Sequence, residues 1–159
     1  MTRRPIIERP SPNFSARRGS AIDCVVMHDT GCHEVGRPLS RMSVHYVVDR
    51  DGTIYRCVNE QDAAWHAGDS MLEGAHDVDA RSIGIELVGF PATNYMPCQL
   101  DAVVELCLSL CLRYRIPVER IVGHADIVLP AGRKADPGPH FPWQRVRERI
   151  TMAVTASIA

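Results

Sequence analysis

The chain has 159 residues, of which 45% are hydrophobic and 23% charged, an ordinary composition for one globular domain. Its 18 basic and 19 acidic residues leave a net charge of -1, which gives no general reason to bind nucleic acid or an anionic surface. No apolar stretch approaches the ~18 residues of a membrane span, and no apolar segment of signal-peptide type follows Met1, so the expected location is the cytoplasm.

Residues 1–20 read as an extended N-terminal arm rich in Pro, Ser and Arg, ahead of a domain over 21–159. Ile22 to Met27 is a β-rich apolar run that predicts a buried strand ending at His28. A polar loop follows, in which Ser40 is placed to cap a short helix. His45 to Asp49 and Ile54 to Val58 predict two strands joined at Asp51-Gly52, a hairpin signal. Ala63 to Val78 reads as loop. Ser82 to Val88 predicts another strand, with Ile83, Ile85 and Leu87 on one face and Gly84 and Glu86 on the other.

Pro97 suits the first turn of a helix running to about Arg115, with Leu100, Val103, Val104, Cys107, Leu108 and Cys111 as its core face. Arg120 to Gly123 is a short strand that delivers His124. A Gly- and Pro-rich loop spans Ala125 to Pro142, and a C-terminal helix turns Trp143, Val146, Ile150 and Ala153 inward. Strands interleaved with helices predict an α/β fold in one domain, with a mixed central β-sheet flanked by helices. The six cysteines form no Cys-x-x-Cys pair, and most of them read as small buried apolar residues.

Two of the seven histidines, His28 and His124, follow predicted buried strands, where α/β proteins place sites. Asp136 lies in the loop beyond His124. Two imidazoles and a carboxylate with an open fourth position make a catalytic zinc arrangement, although ordinary loop histidines explain the spacing as well. Glu86 is a carboxylate inside an apolar strand beside Gly84, which leaves room above that face; a solvent-facing glutamate is the plainer reading. Seventeen of the 18 basic residues are Arg, and the remaining one, Lys134, stands two positions before Asp136. In an extended loop these two address one cavity.

Seven segments occur in order: Val26-Met27-His28, Ser43-Val44-His45-Tyr46, Asp49-Arg50-Asp51-Gly52-Thr53-Ile54, Trp65-His66-Ala67-Gly68, Ser82-Ile83-Gly84-Ile85-Glu86-Leu87, Gly123-His124-Ala125-Asp126-Ile127 and Arg133-Lys134-Ala135-Asp136-Pro137-Gly138-Pro139. Together they resemble the zinc-dependent N-acetylmuramoyl-L-alanine amidases of the type 2 amidase and peptidoglycan-recognition superfamily, over residues 10–147. The resemblance implies a zinc groove on one sheet face, with Zn2+ held by His28, His124 and Asp136. It also implies Glu86 as catalytic carboxylate, Lys134 as stabiliser of developing charge, and Trp65 and His66 as substrate-binding residues. The implied partner is peptidoglycan or a muropeptide, cleaved by a monomer, either in cell-wall recycling or in lysis by a phage endolysin.

The alternative it leaves open is a module that recognises peptidoglycan without cutting it; such relatives lack a ligand residue, and all three positions are filled here. A nucleobase deaminase would need a Pro-Cys-x-x-Cys that Pro97-Cys98 does not begin. The sequence departs from the family at Asp79-Ala80-Arg81, where members often carry Asn-Asp, and in a short loop between His28 and His45. Cys32 and His33 lie close enough to His28 to serve as spare ligands or as plain loop residues.

Overall fold

The computed structural model describes residues 4–32 and 39–158. His33 lies outside the described residues. The N-terminal segment contributes two short strands, β1 (Ile6–Glu8) and β2 (Phe14–Ala16), followed by β3 (Cys24–Asp29), β4 (Tyr46–Val48), β5 (Ile54–Arg56) and β6 (Asp62–Ala64). After these come β7 (Met71–Leu72), β8 (Ala75–His76), the single-turn helix α1 (Val78–Arg81) and β9 (Ser82–Leu87). The long helix α2 (Pro97–Tyr114), β10 (Ile121–Gly123), the short α3 (His124–Ile127) and α4 (Trp143–Ile158) complete the chain. Leu39–Arg41 is a 3-10 turn, in the region read as a short capped helix.

Six strands form a mixed sheet in the order β1-β5-β4-β9-β3-β10, with β4, β9, β3 and β10 mutually parallel and β5 antiparallel to β4. The central strands are apolar on both faces because both are covered. On one face Val25, Met27, Ile83, Ile85, Leu87 and Ile121 pack under α2 and α4. Each fully buried aliphatic side chain in this layer contributes about 1.5–3 kcal/mol. On the other face Cys24, Val26 and Val122 meet Ala67, Val78 and Ile127, so a loop layer covers the sheet there.

That parity decides where the chemistry lies. His28 shares a face with Cys24 and Val26, and Glu86 with Ser82 and Gly84, opposite the long helices. The register sets His28 beside Glu86 and Val26 beside Gly84, near the C-terminal ends of parallel strands.

Several expectations shift by a residue or two. β3 runs through His28 to Asp29 instead of stopping before it, because pairing with β9 continues to Leu87. His124 opens the helix α3 as the strand ends. The segment read as a loop from Ala63 to Val78 holds three short strands. In α2 the buried stripe includes Ala102, Leu106 and Leu110, while Leu108 is only half-buried, because α4 and the sheet together cover a wider arc than one stripe. Pro97 begins that helix as expected, and Arg115 ends it in a left-handed conformation at φ 57°.

The N-terminal segment is extended and exposed, and paired at both strands: β1 lies along β5, and β2 along β6. Its one buried charge among the described residues, Arg17, donates to the carbonyls of Glu60, Ala80 and Ser82 at 2.8 Å each. This guanidinium ties the segment to the start of β9. Cys24, Cys57, Cys107 and Cys111 are buried thiols, as the composition led one to expect.

Candidate active site

Three loops meet over the C-terminal ends of β3, β9 and β10 around a cavity of about 350 Å³. His28, Glu86, His124, Lys134 and Asp136 all line it. His28 Nδ1 lies 3.1 Å from His124 Nδ1 and 3.1 Å from Asp136 Oδ2, and His124 Nδ1 lies 3.2 Å from that same oxygen. Among the described residues these three are the group whose ligand atoms converge, all within 4.8 Å of one another.

His124 Nε2 is 3.2 Å from the Ala67 carbonyl, which only accepts, so a proton belongs on Nε2. Burial, the largest influence on His28, pushes its pKa down and favours the neutral ring. Two imidazole nitrogens and a carboxylate oxygen thus converge on one spot. The donor set suits zinc, which takes two His nitrogens and one carboxylate with a further position open.

Asp136 is delivered by a loop that is tied down twice. Its carbonyl accepts from Ala125 N–H at 2.9 Å, and Gly138 N–H donates to Asp29 Oδ2 at 2.9 Å. Asp29 also accepts from the Tyr95 hydroxyl, at 2.8 Å to Oδ1. Burial pushes the Asp29 carboxyl up, and the Gly138 and Tyr95 bonds oppose that. Gly138 is packed so close to Pro91 that a Cβ would fall 1.9 Å from the Pro91 carbonyl oxygen. Asp29 and Tyr95 were not legible as site residues, though Asp29 directly follows His28.

Glu86 sits on the floor of the cavity with Oε2 buried and without a hydrogen-bond partner among the described residues. Burial first, then the charges of Asp136 and Asp29, push its carboxyl up to about 8, while Lys134 pulls the other way. Lys134 is exposed at the rim and makes no hydrogen bond or ion pair with a described residue.

The two expected substrate-binding residues part company. The Trp65 ring is 54% exposed and its Nε1–H donates to Ser15 Oγ at 3.0 Å; it does not line the cavity. His66 does line the cavity; its side chain is only 1% exposed, with Nδ1 3.0 Å from His28 Nε2. Cys32 Sγ donates to Thr30 Oγ1 at 3.2 Å and is not part of the converging group.

Two imidazoles and a carboxylate converging beside a buried carboxylate, at one edge of a mixed sheet, are a donor set that could hold a zinc ion. The chain belongs to the N-acetylmuramoyl-L-alanine amidase family, whose model matches residues 18–139. It is 38% identical over 110 residues to the 1,6-anhydro-N-acetylmuramyl-L-alanine amidase AmpD of Enterobacter cloacae, a match covering 69% of this chain and 58% of that protein. It is 37% identical over 125 residues to the N-acetylmuramoyl-L-alanine amidase AmiD of Escherichia coli, covering 69% of this chain and 45% of AmiD. The chain therefore spans about half the length of these curated relatives. A crystal structure of a selenomethionine AmpD derivative superposes with a TM-score of 0.83 at 28% identity, covering 94% of this chain and 95% of the other. The E. coli AmiD complex with the substrate anhydro-N-acetylmuramic acid-L-Ala-D-gamma-Glu-L-Lys gives a TM-score of 0.68 at 32% identity, covering 89% of this chain and 60% of that one. No helix among the described residues is long and apolar enough to cross a membrane.

Proposed function

We propose that this chain is a zinc-dependent amidase that hydrolyses the bond between the lactyl group of N-acetylmuramic acid and L-alanine, acting on muropeptide fragments of the cell wall. The observation that carries the reading is the convergence of His28, His124 and Asp136 beside Glu86 in one cavity of an amidase-family chain. The substrate class rests on the AmpD and AmiD relatives, whose names specify this amide.

His28, His124 and Asp136 would hold the metal. When bound, zinc supplies a Lewis acid that polarises the amide carbonyl and acidifies water. Positive charge held at those three ligands would also draw the neighbouring Glu86 carboxyl back toward its ionised form. Glu86 then takes the proton of the attacking water and passes a proton to the leaving nitrogen of L-alanine. The Lys134 ammonium, at the rim of the cavity with no described partner of its own, would stabilise the oxygen on which negative charge develops.

The test is mass spectrometry of products from defined muropeptides. Cleavage should yield a free lactyl carboxylate and a peptide beginning with L-alanine, should stop on chelation and return with zinc. Intact sacculi run in parallel separate fragment recycling from wall lysis. Binding of the muropeptide with no product under zinc would favour a recognition module.

A further inference from the structure

Both candidate ligand histidines are backed by the same short loop, residues 65–68. Ala67 offers its carbonyl to His124 Nε2 at 3.2 Å, and His66 offers Nδ1 to His28 Nε2 at 3.0 Å. The loop is anchored from behind. Asp79 Oδ1 accepts the Ala67 N–H at 2.7 Å. The His66 ring is wedged in place, because it lies flat over Gly84 and its Nε2 is 3.0 Å from Ser82 Oγ.

We infer that His66 and Ala67 are positioning groups that fix which nitrogen His28 and His124 present to the metal. The inference rests on the metal centre proposed above. A metal on His28 Nδ1 requires the His28 proton on Nε2, so His66 Nδ1 must accept it. His66 then carries its own proton on Nε2, facing Ser82 Oγ, with the Asp79 carboxylate 4.0 Å away and favouring that setting. His124 reaches the same state through Ala67 alone. Partners of this kind orient the ring and fix its tautomer, and losing one typically weakens metal binding roughly 10–100-fold. His66 acts through His28 and touches no substrate in this role, in keeping with its buried position.

Two substitutions separate hydrogen bonding from packing. His66→Phe keeps an aromatic ring over Gly84 and removes the acceptor. His66→Asn loses the ring but sets an amide oxygen near the place of Nδ1. Zinc affinity is measured by competition with a chelator of known strength. The expected result is a roughly 10–100-fold loss for His66→Phe, most of it restored in His66→Asn. The reverse order, with Phe binding like wild type and Asn weakened, overturns the inference and leaves His66 a packing residue. Imidazole 15N shifts in zinc-loaded wild type give a second reading that needs no variant to fold. They should show His66 protonated at Nε2 and bare at Nδ1, and a proton on Nδ1 overturns the inference. A wild-type protein that binds no zinc at all overturns the metal centre itself, and this inference with it.

Discussion

Gly84 and His66 compete for one space: a Cβ built on Gly84 would fall 2.5 Å from His66 Cγ. The imidazole has nowhere to retreat, since its two nitrogens face His28 and Ser82 and its side chain is 1% exposed. Gly84→Ala should therefore destabilise the metal-free protein by about 1–3 kcal/mol, the usual range for overpacking. Denaturant midpoints check this. An unchanged midpoint means the ring moves without resistance.

The sequence carried β3, β4, β5, β9 and β10 and the long helices through local pattern, and named the three residues that converge, but it left β1, β2 and β6 to β8 unmarked. Alternation along Ser82–Leu87 was enough to separate Ile83, Ile85 and Leu87 from Gly84 and Glu86. What local pattern could not carry is contact between distant segments. The resemblance implied His66 as a groove residue, and it does line the cavity, but its contact with His28 is visible only in the fold. Asp29 and Asp79 act on backbone N–H groups of Gly138 and Ala67, and a backbone group leaves no mark in a sequence. Arg17 looked like one of several arm arginines until three carbonyls closed on it.

His45 ties the protein's stability to pH. Gly84 N–H donates to its Nδ1 at 3.0 Å, and its Nε2 lies 2.8 Å from Arg17 Nη2 and 3.0 Å from the Asp62 carbonyl oxygen. Burial is the main cause that lowers its pKa to about 3; the Asp62 carbonyl and Glu60 pull up and Arg17 pushes down. The folded value lies below the unfolded one of about 6.5. Its stabilising share is therefore complete above that unfolded value and is lost as pH falls toward 3. Below about pH 6.5 the metal-free protein should lose up to about 1.4 kcal/mol per pH unit from this residue. His45→Gln should flatten the dependence between pH 6 and pH 4 in denaturation series, about the span of that titration. Equal slopes in both proteins would show that other groups carry it.

Glu86 is close to the converging triad yet lies outside it. Glu86→Gln keeps the shape of the side chain and removes its capacity to take a proton. A positioned acid/base typically contributes ~10²–10⁴-fold, and the variant should lose kcat on that scale. Zinc content should stay at the wild-type level. Loss of zinc in Glu86→Gln would make the carboxylate a ligand, and turnover near wild type would make it structural.

His124 tests the metal separately from the base. It opens α3 at the edge of the sheet, and its ring lies over the cavity, not in the layer under α2 and α4. His124→Ala should abolish zinc binding and hydrolysis together and leave the far-ultraviolet circular dichroism unchanged. Metal analysis after dialysis against a weak chelator reads the outcome. Stoichiometric zinc in the variant would remove His124 from the ligand set.

Lys134 is the one lysine in a chain of seventeen arginines, and it stands at the rim of the cavity without a described partner. A compact ammonium and a planar guanidinium differ in how they meet a single oxygen. If Lys134 faces the developing oxyanion, Lys134→Ala should reduce kcat far more than it raises KM. Loss of one such donor costs about 3–4 kcal/mol in the transition state, or roughly 10²–10³ in rate. Lys134→Arg should recover only part of this, since the fork cannot take up the same point contact. A lysine that merely decorates the surface would contribute about 0–1 kcal/mol, and both variants would then run near wild type. Steady-state kinetics on a soluble muropeptide, with zinc occupancy matched, separate the two cases. Retention of more than about half of wild-type kcat in both variants, far above the residue expected after losing such a donor, would take Lys134 out of the mechanism.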